Sequence, residues 1–255
     1  MTAPAAPAGG PGDRTRFVGL AFDRLDLAAT LAWIEAALAQ DRFAYVVTPN
    51  SDHVVRYARE QAQDELLRDA YRGADLVVCD SRILARLSRL SGERLPIAPG
   101  SDLTRDLLAR GGPWRHLAVI GGDEALHRRL EALYPAYRWS FLTPPFGLRR
   151  SPERRAEIQR FVEEAAADIV LFAVGAPQSE LCCLEIRRAG RARGVALCIG
   201  ASLEFVTGVK RRAPRWMQLA GIEWLHRLAS EPQRLWRRYL LDSPRVFAIW
   251  WRGGR

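Results

Sequence analysis

Between residue 17 and about residue 205, short β-branched and aliphatic runs alternate with longer segments whose apolar residues recur every three or four positions. Few architectures accept that pattern. Residues 43–50 (FAYVVTPN) read as a strand running out into a loop, and 52–74 as one or two amphipathic helices. Residues 75–80 (DLVVCD) read as a buried strand, 81–92 as a helix closed by Gly92, and 101–112 as a capped helix ending in glycines. The alternation continues with a strand and Gly-Gly turn at 116–122 and a helix at 123–135. A helix opened by Ser151-Pro152 at 151–167, a strand at 168–175, a helix at 179–194 and a strand at 195–201 complete it. Strands separated by helices run parallel, because each helix carries the chain back to the same end of the sheet. The fold class expected is α/β: a Rossmann-like, mostly parallel sheet flanked by helices, filling residues 14–208.

In such sheets ligands bind beyond the carboxyl ends of the strands. Five polar stretches fall there: Thr48-Pro49-Asn50, Asp80, Gly121-Gly122, Gly175 to Glu180, and Gly200 to Glu204. The first four also have a plainer reading. Asp80, directly after a buried run, suits a general base or a ribose ligand, and equally the N-cap of the helix that follows. Thr48 and Asn50 suit sugar hydroxyls, or ordinary turn chemistry. VIGGDEA (119–125) brings backbone N–H groups to a helix N-terminus, which suits a phosphate or a plain turn; it is neither GxGxxG nor a Walker loop. In VGAPQSE (174–180), Gly-Ala-Pro makes a tight turn. Gln178 and Ser179 suit a diphosphate, while Ser179 and Glu180 suit the capping of a helix.

Charge is distributed unevenly. The chain carries a net +9, and residues 205–255 hold +8 of it, eleven Lys or Arg against three acids. Five of the eight tryptophans lie in the same segment, and Lys210 is the single lysine of the chain. Residues 209–255 are expected to form a helical, basic, Trp-rich appendage. Arg mixed with Trp suits nucleic acid, a solvated helix whose tryptophans pack inward, or an anionic membrane surface. No window approaches the roughly 18 apolar residues of a spanning helix. Residues 1–13, small and rich in Pro and Gly, are expected to be a disordered leader. Cys79, Cys182, Cys183 and Cys198 form no CxxC pair, which points to reduced, buried thiols in a cytoplasmic protein. His53, His116, His127 and His226 show no ligand spacing, so no metal site is expected.

Taken in order, the motifs resemble the WecG/TagA/CpsF family of bacterial glycosyltransferases. Thr48 and Asn50 match its T-x-N strand end, Asp80 its strand-terminal Asp, and Gly100-Ser101-Asp102-Leu103 its G-x-D-L. Pro144 to Leu148, which include Gly147, match P-x-x-G-F/Y, and Gly175-Ala176-Pro177-Gln178-Ser179-Glu180 match G-x-P-K-Q-E. Gly200 to Gly208 match G-x-x-F-D-x-x-x-G, Arg212 to Trp216 match R-A-P-x-W, and Glu223 to Arg234 match E-W-x-x-R-L-x-x-E-P-x-R. The last two are the most specific, and the whole match spans about 43–239. It departs from the family at Ser81 in place of Gly, at Gln178-Ser179-Glu180 in place of K-Q-E, and at Leu203-Glu204 in place of Phe-Asp.

The resemblance implies an inverting, metal-independent transfer, with no cofactor, of a hexosyl or N-acetylhexosaminyl group from a UDP-sugar. The acceptor it implies is a sugar on a polyprenyl diphosphate at the inner face of the cell membrane, in bacterial surface polysaccharide synthesis. It makes Asp80 the base, with Thr48 and Asn50 positioning sugar or acceptor. Gly121, Gly147, Gly175, Pro177, Gln178, Glu180, Gly200 and Glu204 become substrate-binding, and Arg212, Arg215 and Arg227 face UDP or the lipid diphosphate. It implies a peripheral membrane protein that binds no nucleic acid; a homo-oligomer is compatible with it. The alternative from a different class is a non-catalytic α/β protein that binds nucleic acid or an anionic surface.

Overall fold

The structure, a computed structural model, describes residues 13–211, 213–220 and 222–253. Of the expected leader, residues 1–12 lie outside the described residues. The described chain opens with a hairpin, β1 (Arg14–Phe17) and β2 (Leu20–Asp23), followed by α1 (Leu27–Leu38). Val18 and Gly19 join the two strands with φ of 46° and 88°, the positive-φ pair that matches the twist of a two-residue hairpin. Then come β3 (Phe43–Val47), α2 (Ser51–Glu60), α3 (Glu65–Arg72), β4 (Leu76–Val77), α4 (Arg82–Leu90), α5 (Gly100–Arg110) and β5 (His116–Ile120). They are followed by α6 (Glu124–Leu133), β6 (Arg138–Leu142), a 3-10 turn at Leu148–Arg150, α7 (Pro152–Ala165), β7 (Ile169–Phe172), α8 (Gln178–Ala189), β8 (Gly194–Cys198) and α9 (Ser202–Val206). The C-terminal end is helical: α10 (Arg215–Ala220), α11 (Glu223–Ser230), α12 (Pro232–Trp236), a π-helical stretch at Arg237–Asp242, and α13 (Arg245–Gly253).

Strands β3 to β8 form one six-stranded sheet in the order β4-β3-β8-β7-β5-β6, and every neighbouring pair is parallel. The expected α/β class is the observed one. Alternate residues of the inner strands enter opposite cores: Phe43, Tyr45 and Val47 point to one, Ala44 and Val46 to the other. Helices cover both faces, so these strands are buried along their whole length and read as continuous apolar runs. The hairpin protects the short edge strand β4, where Asp23 Oδ2 accepts from Val77 N at 2.7 Å and Asp23 Oδ1 from Arg14 Nε at 3.1 Å.

Four sequence expectations need correction. The strand read over 75–80 holds ladder pairing only at Leu76–Val77. Asp80 does not cap α4; Ser81 does, accepting from Leu84 N. Helix α5 begins at Gly100 with Pro99 as its N-cap and no side-chain cap. Trp250, whose place near the end of the sequence makes a core role the least expected, packs against the core and donates from Nε1 to Ser91 Oγ at 2.7 Å. Val246, one turn earlier, is a core residue. Among the described residues no helix is long and apolar enough to cross a membrane. The four cysteines are free and buried, as read.

Candidate active site

A cavity of about 680 Å³ lies beyond the carboxyl ends of the sheet. Its walls come from the segments after β3, β4, β7 and β8, which are contiguous in the strand order, and from the C-terminal helices. That volume accommodates a drug-sized ligand.

After β3, the Thr48 hydroxyl donates to the Cys198 carbonyl at 2.9 Å and ties the end of β3 to the end of β8. Asn50 is the N-cap of α2, its Oδ1 accepting from Asp52 N at 3.0 Å and His53 N at 3.4 Å. Both lone-pair directions of that oxygen are engaged, so the amide NH₂ is what Asn50 has left to offer the cavity. The bland turn-residue reading and the functional one therefore both apply to Asn50.

After β4, Asp80 is held at two points. Its N–H donates to the Pro49 carbonyl at 3.0 Å, and its Oδ1 accepts from Gly100 N at 3.2 Å. The carboxylate thus serves the otherwise uncapped N-terminus of α5, twenty residues away, rather than that of α4. Gly100 lies where three segments meet. A Cβ there would sit 3.1 Å from Thr48 Oγ1 and 3.4 Å from Ser202 Oγ. Ser51 Oγ and Ser81 Oγ, 3.1 Å apart, brace the same corner.

After β7, Gly175 adopts φ 76°, a left-handed conformation that carries the chain sharply into α8 through a cis Ala176-Pro177 bond. Ser179 N and Oγ both donate to the Gly175 carbonyl, at 3.0 and 3.1 Å, so the hydroxyl is spent inside the turn. Gly175 and Glu180 line the cavity, whereas Pro177 and Gln178 do not. Glu180 is 1 % exposed, and burial pushes its pKa up to about 7 against the pull of its own backbone N–H and of Arg56.

After β8, Gly200, Ser202 and Glu204 line the cavity. Glu204 is not free: Lys210 Nζ lies 2.6 Å from its Oε2 and 2.9 Å from Glu231 Oε1. The single lysine of the chain therefore fastens the C-terminal segment to the cavity wall. Glu223, Trp224, Leu240 and Phe247 close the cavity from that segment.

Besides Pro177 and Gln178, two more expected residues lie apart from the cavity lining. Gly121 follows β5 and Gly147 precedes the 3-10 turn after β6, the two strands farthest from β3 and β4, and neither lines the cavity. The N-terminus of α6 beside Gly121 is closed by Asp123, whose Oδ1 accepts from Leu126 N at 2.8 Å, as in a plain turn. Arg212 lies outside the described residues. Arg215 and Arg227 belong to α10 and α11, and their side chains lie outside what is described. Sequence reasoning missed Arg56, which lines the cavity, donates from its guanidinium to the Ala176 carbonyl at 2.6 Å and sits 3.8 Å from Asp52. Its spacing from the Asn50 cap, on the first two turns of α2, was the signal available. Among the described residues no cluster of three or more His, Cys, Asp or Glu side chains is arranged to hold a metal ion.

With this geometry in place, the family model described as "Glycosyl transferase WecG/TagA/CpsF family" matches residues 15–255. The match runs through the sheet, the cavity and the whole C-terminal segment.

Proposed function

The chain belongs to the glycosyl transferase WecG/TagA/CpsF family, and on that footing we propose that its cavity binds a UDP-sugar and passes the hexose-type sugar to a sugar on a polyprenyl diphosphate. Asp80 is the general base. Its carboxylate takes the proton of the acceptor hydroxyl, the oxygen attacks the anomeric carbon, and the bond from that carbon to the UDP oxygen breaks with inversion. The observation that carries this reading is Asp80 itself, a carboxylate in the cavity wall whose position is held through Gly100 N and Pro49 O.

Other residues take supporting parts. Thr48, already donating to Cys198 O, accepts a hydrogen bond from substrate, while Asn50 donates one through its NH₂. The Gly175–Glu180 turn and the Arg56 guanidinium face the diphosphate and neutralise the charge that develops on the leaving group, a task that needs no metal ion. Arg212, Arg215 and Arg227 are assigned to UDP or to the lipid diphosphate.

The acceptor side rests on the C-terminal segment. Trp216, Leu241 and Trp251 are 63 %, 53 % and 63 % exposed there, amid most of the chain's positive charge. Exposed aromatic and aliphatic groups beside cations suit the headgroup region of an anionic bilayer. We assign residues 209–255 to the inner face of the cell membrane, as a peripheral contact that brings the lipid-linked acceptor to the mouth of the cavity. Family membership favours this enzyme over a non-catalytic binder of nucleic acid.

The test is a donor screen. UDP should raise the melting temperature of the protein, and one of a panel of UDP-hexoses should be consumed with a short-chain lipid-diphosphate sugar as acceptor, in the presence of EDTA. Absence of stabilisation by UDP would remove the donor assignment, and activity lost to EDTA and restored by Mg²⁺ or Mn²⁺ would remove metal independence.

A further inference from the structure

Hydrogen-bond accounting draws attention to α8, which like the shorter α9 and α12 has no side-chain cap. Six helices carry a side-chain cap at the N-terminus: Asp26 for α1, Asn50 for α2, Asp64 for α3, Ser81 for α4, Asp123 for α6 and Ser151 for α7. Helix α5 receives Asp80 from outside. Helix α8, twelve residues long and opening at the cavity wall, has Pro177 at its N-cap and no side-chain cap. In its first turn two side-chain oxygens, Gln178 Oε1 and Glu180 Oε2, are buried without a hydrogen-bond partner among the described residues. Glu180 is 1 % exposed and lines the cavity. A buried acid oxygen left without a partner is costly, and native proteins keep such groups where a ligand or function uses them.

The surroundings decide which form of the acid resides there. Facing it are Arg56 on α2, Tyr71 on α3, Cys198 on β8, and Cys182 and Cys183 on its own helix, while Asp52 and His53 of α2 share the cavity wall. Burial pushes the tyrosine and the three thiols up, so they stay neutral, and Arg56 is the cation acting on the carboxyl. That guanidinium is anchored to the Ala176 carbonyl at the turn before α8. A helix N-terminus without a side-chain cap and a fixed guanidinium together favour an anion. An ionised Glu180 beside them would oppose one, whereas a protonated Glu180 adds an O–H donor.

We propose that Glu180 receives the donor's diphosphate as a neutral carboxylic acid, donating its proton in a hydrogen bond to a phosphate oxygen, so that donor binding requires the proton. This rests on the UDP-sugar reading and adds to it a residue and a pH dependence. It explains why a carboxylate side chain occupies a wall built for an anion. Burial holds Glu180 at a pKa of about 7, so the binding-competent form is lost as pH rises through neutrality.

The experiment measures the Kd of a UDP-hexose, whose phosphates ionise far below the range tested, by calorimetry on the full chain. The wild type should weaken by about thirtyfold between about pH 6 and pH 8.5, the change in the protonated fraction of a group titrating near 7. Glu180→Gln, which keeps an N–H donor and cannot ionise, should bind with the low-pH affinity across the range. Glu180→Ala should bind weakly and without slope. Both variants are first checked for a native circular-dichroism spectrum. A flat wild-type profile, or the same slope in Glu180→Gln, overturns the proposal and assigns any slope to another group such as His53. A UDP-hexose that binds at no pH overturns the donor reading together with this one. Wild-type-minus-Glu180→Gln infrared spectra give the independent readout: a carboxyl C=O band at about pH 6 is expected, and a carboxylate band there sinks the proposal even if the donor binds.

Discussion

Asp80 is asked to do two jobs, and substitution separates them. As a base it supplies proton transfer; as an acceptor it satisfies Gly100 N, a buried donor at the first residue of α5. Asp80→Asn keeps a carbonyl oxygen where Oδ1 was and removes the base. Turnover should fall by about a hundred- to ten-thousandfold, the usual worth of a general base, with the melting temperature and UDP affinity near the wild-type values. Asp80→Ala removes the acceptor too. Leaving a buried N–H unpaired costs about 1–3 kcal/mol, which in a chain of this size lowers the melting temperature by roughly 3–10 °C. The assay pairs a radiolabelled transfer measurement with thermal unfolding of both variants, with and without UDP. Near-normal turnover in Asp80→Asn would refute the base and leave Asp80 as a tertiary helix cap. An Asp80→Ala protein as stable as the wild type would refute the energetic weight placed on the Gly100 bond.

Three further outcomes are expected. Glu180 is raised in the folded protein from an ordinary 4.5 to about 7, so the native state holds a proton that the unfolded chain releases; stability is greatest below about pH 4.5 as far as this group is concerned and should decline by about 2 kcal/mol between pH 5.5 and 8.5. Urea unfolding at the two pH values measures this, and Glu180→Gln should abolish that part of the decline. Lys210→Ala should cost about 1 kcal/mol, since the two ion pairs to Glu204 and Glu231 are partly exposed, and should open residues 209–231 to limited proteolysis while UDP still binds; an unchanged cleavage pattern would show that the lysine does not fasten the segment. Trp216→Gln with Leu241→Gln should weaken pelleting with anionic vesicles several-fold and leave UDP binding intact, while added salt should weaken the wild type as well; vesicle binding untouched by both substitutions would move the membrane contact elsewhere.

What the sequence determined by itself is local. Apolar periodicity, the Ser151-Pro152 start of α7 and the polar residues at strand ends all depend on neighbours a few positions away, so the α/β alternation and the candidate positions 48–50, 80, 175–180 and 200–204 could be read directly. The hairpin Arg14–Asp23, the helix Leu27–Leu38 and the strand Arg138–Leu142 were not read; the last is an edge strand with no fully buried residue and so lacks the apolar run that marks its neighbours. Only the tertiary structure decided which strand ends meet. Because β5 and β6 lie at the far side of β7, Gly121 and Gly147 fall away from the cavity although their motifs look like the others. The bonds from Asp80 to Gly100, Arg56 to Ala176 and Lys210 to Glu231 span 20 to 120 residues, and burial in the folded chain is what raises the pKa of Glu180 against the pull of Arg56. The same holds at the C-terminus, where helices that read as a basic, Trp-rich appendage bring Val246 into the core and pack Trp250 against it. Whether a tryptophan faces lipid or its own protein depends on what the fold places beside it, which no pattern along the chain encodes.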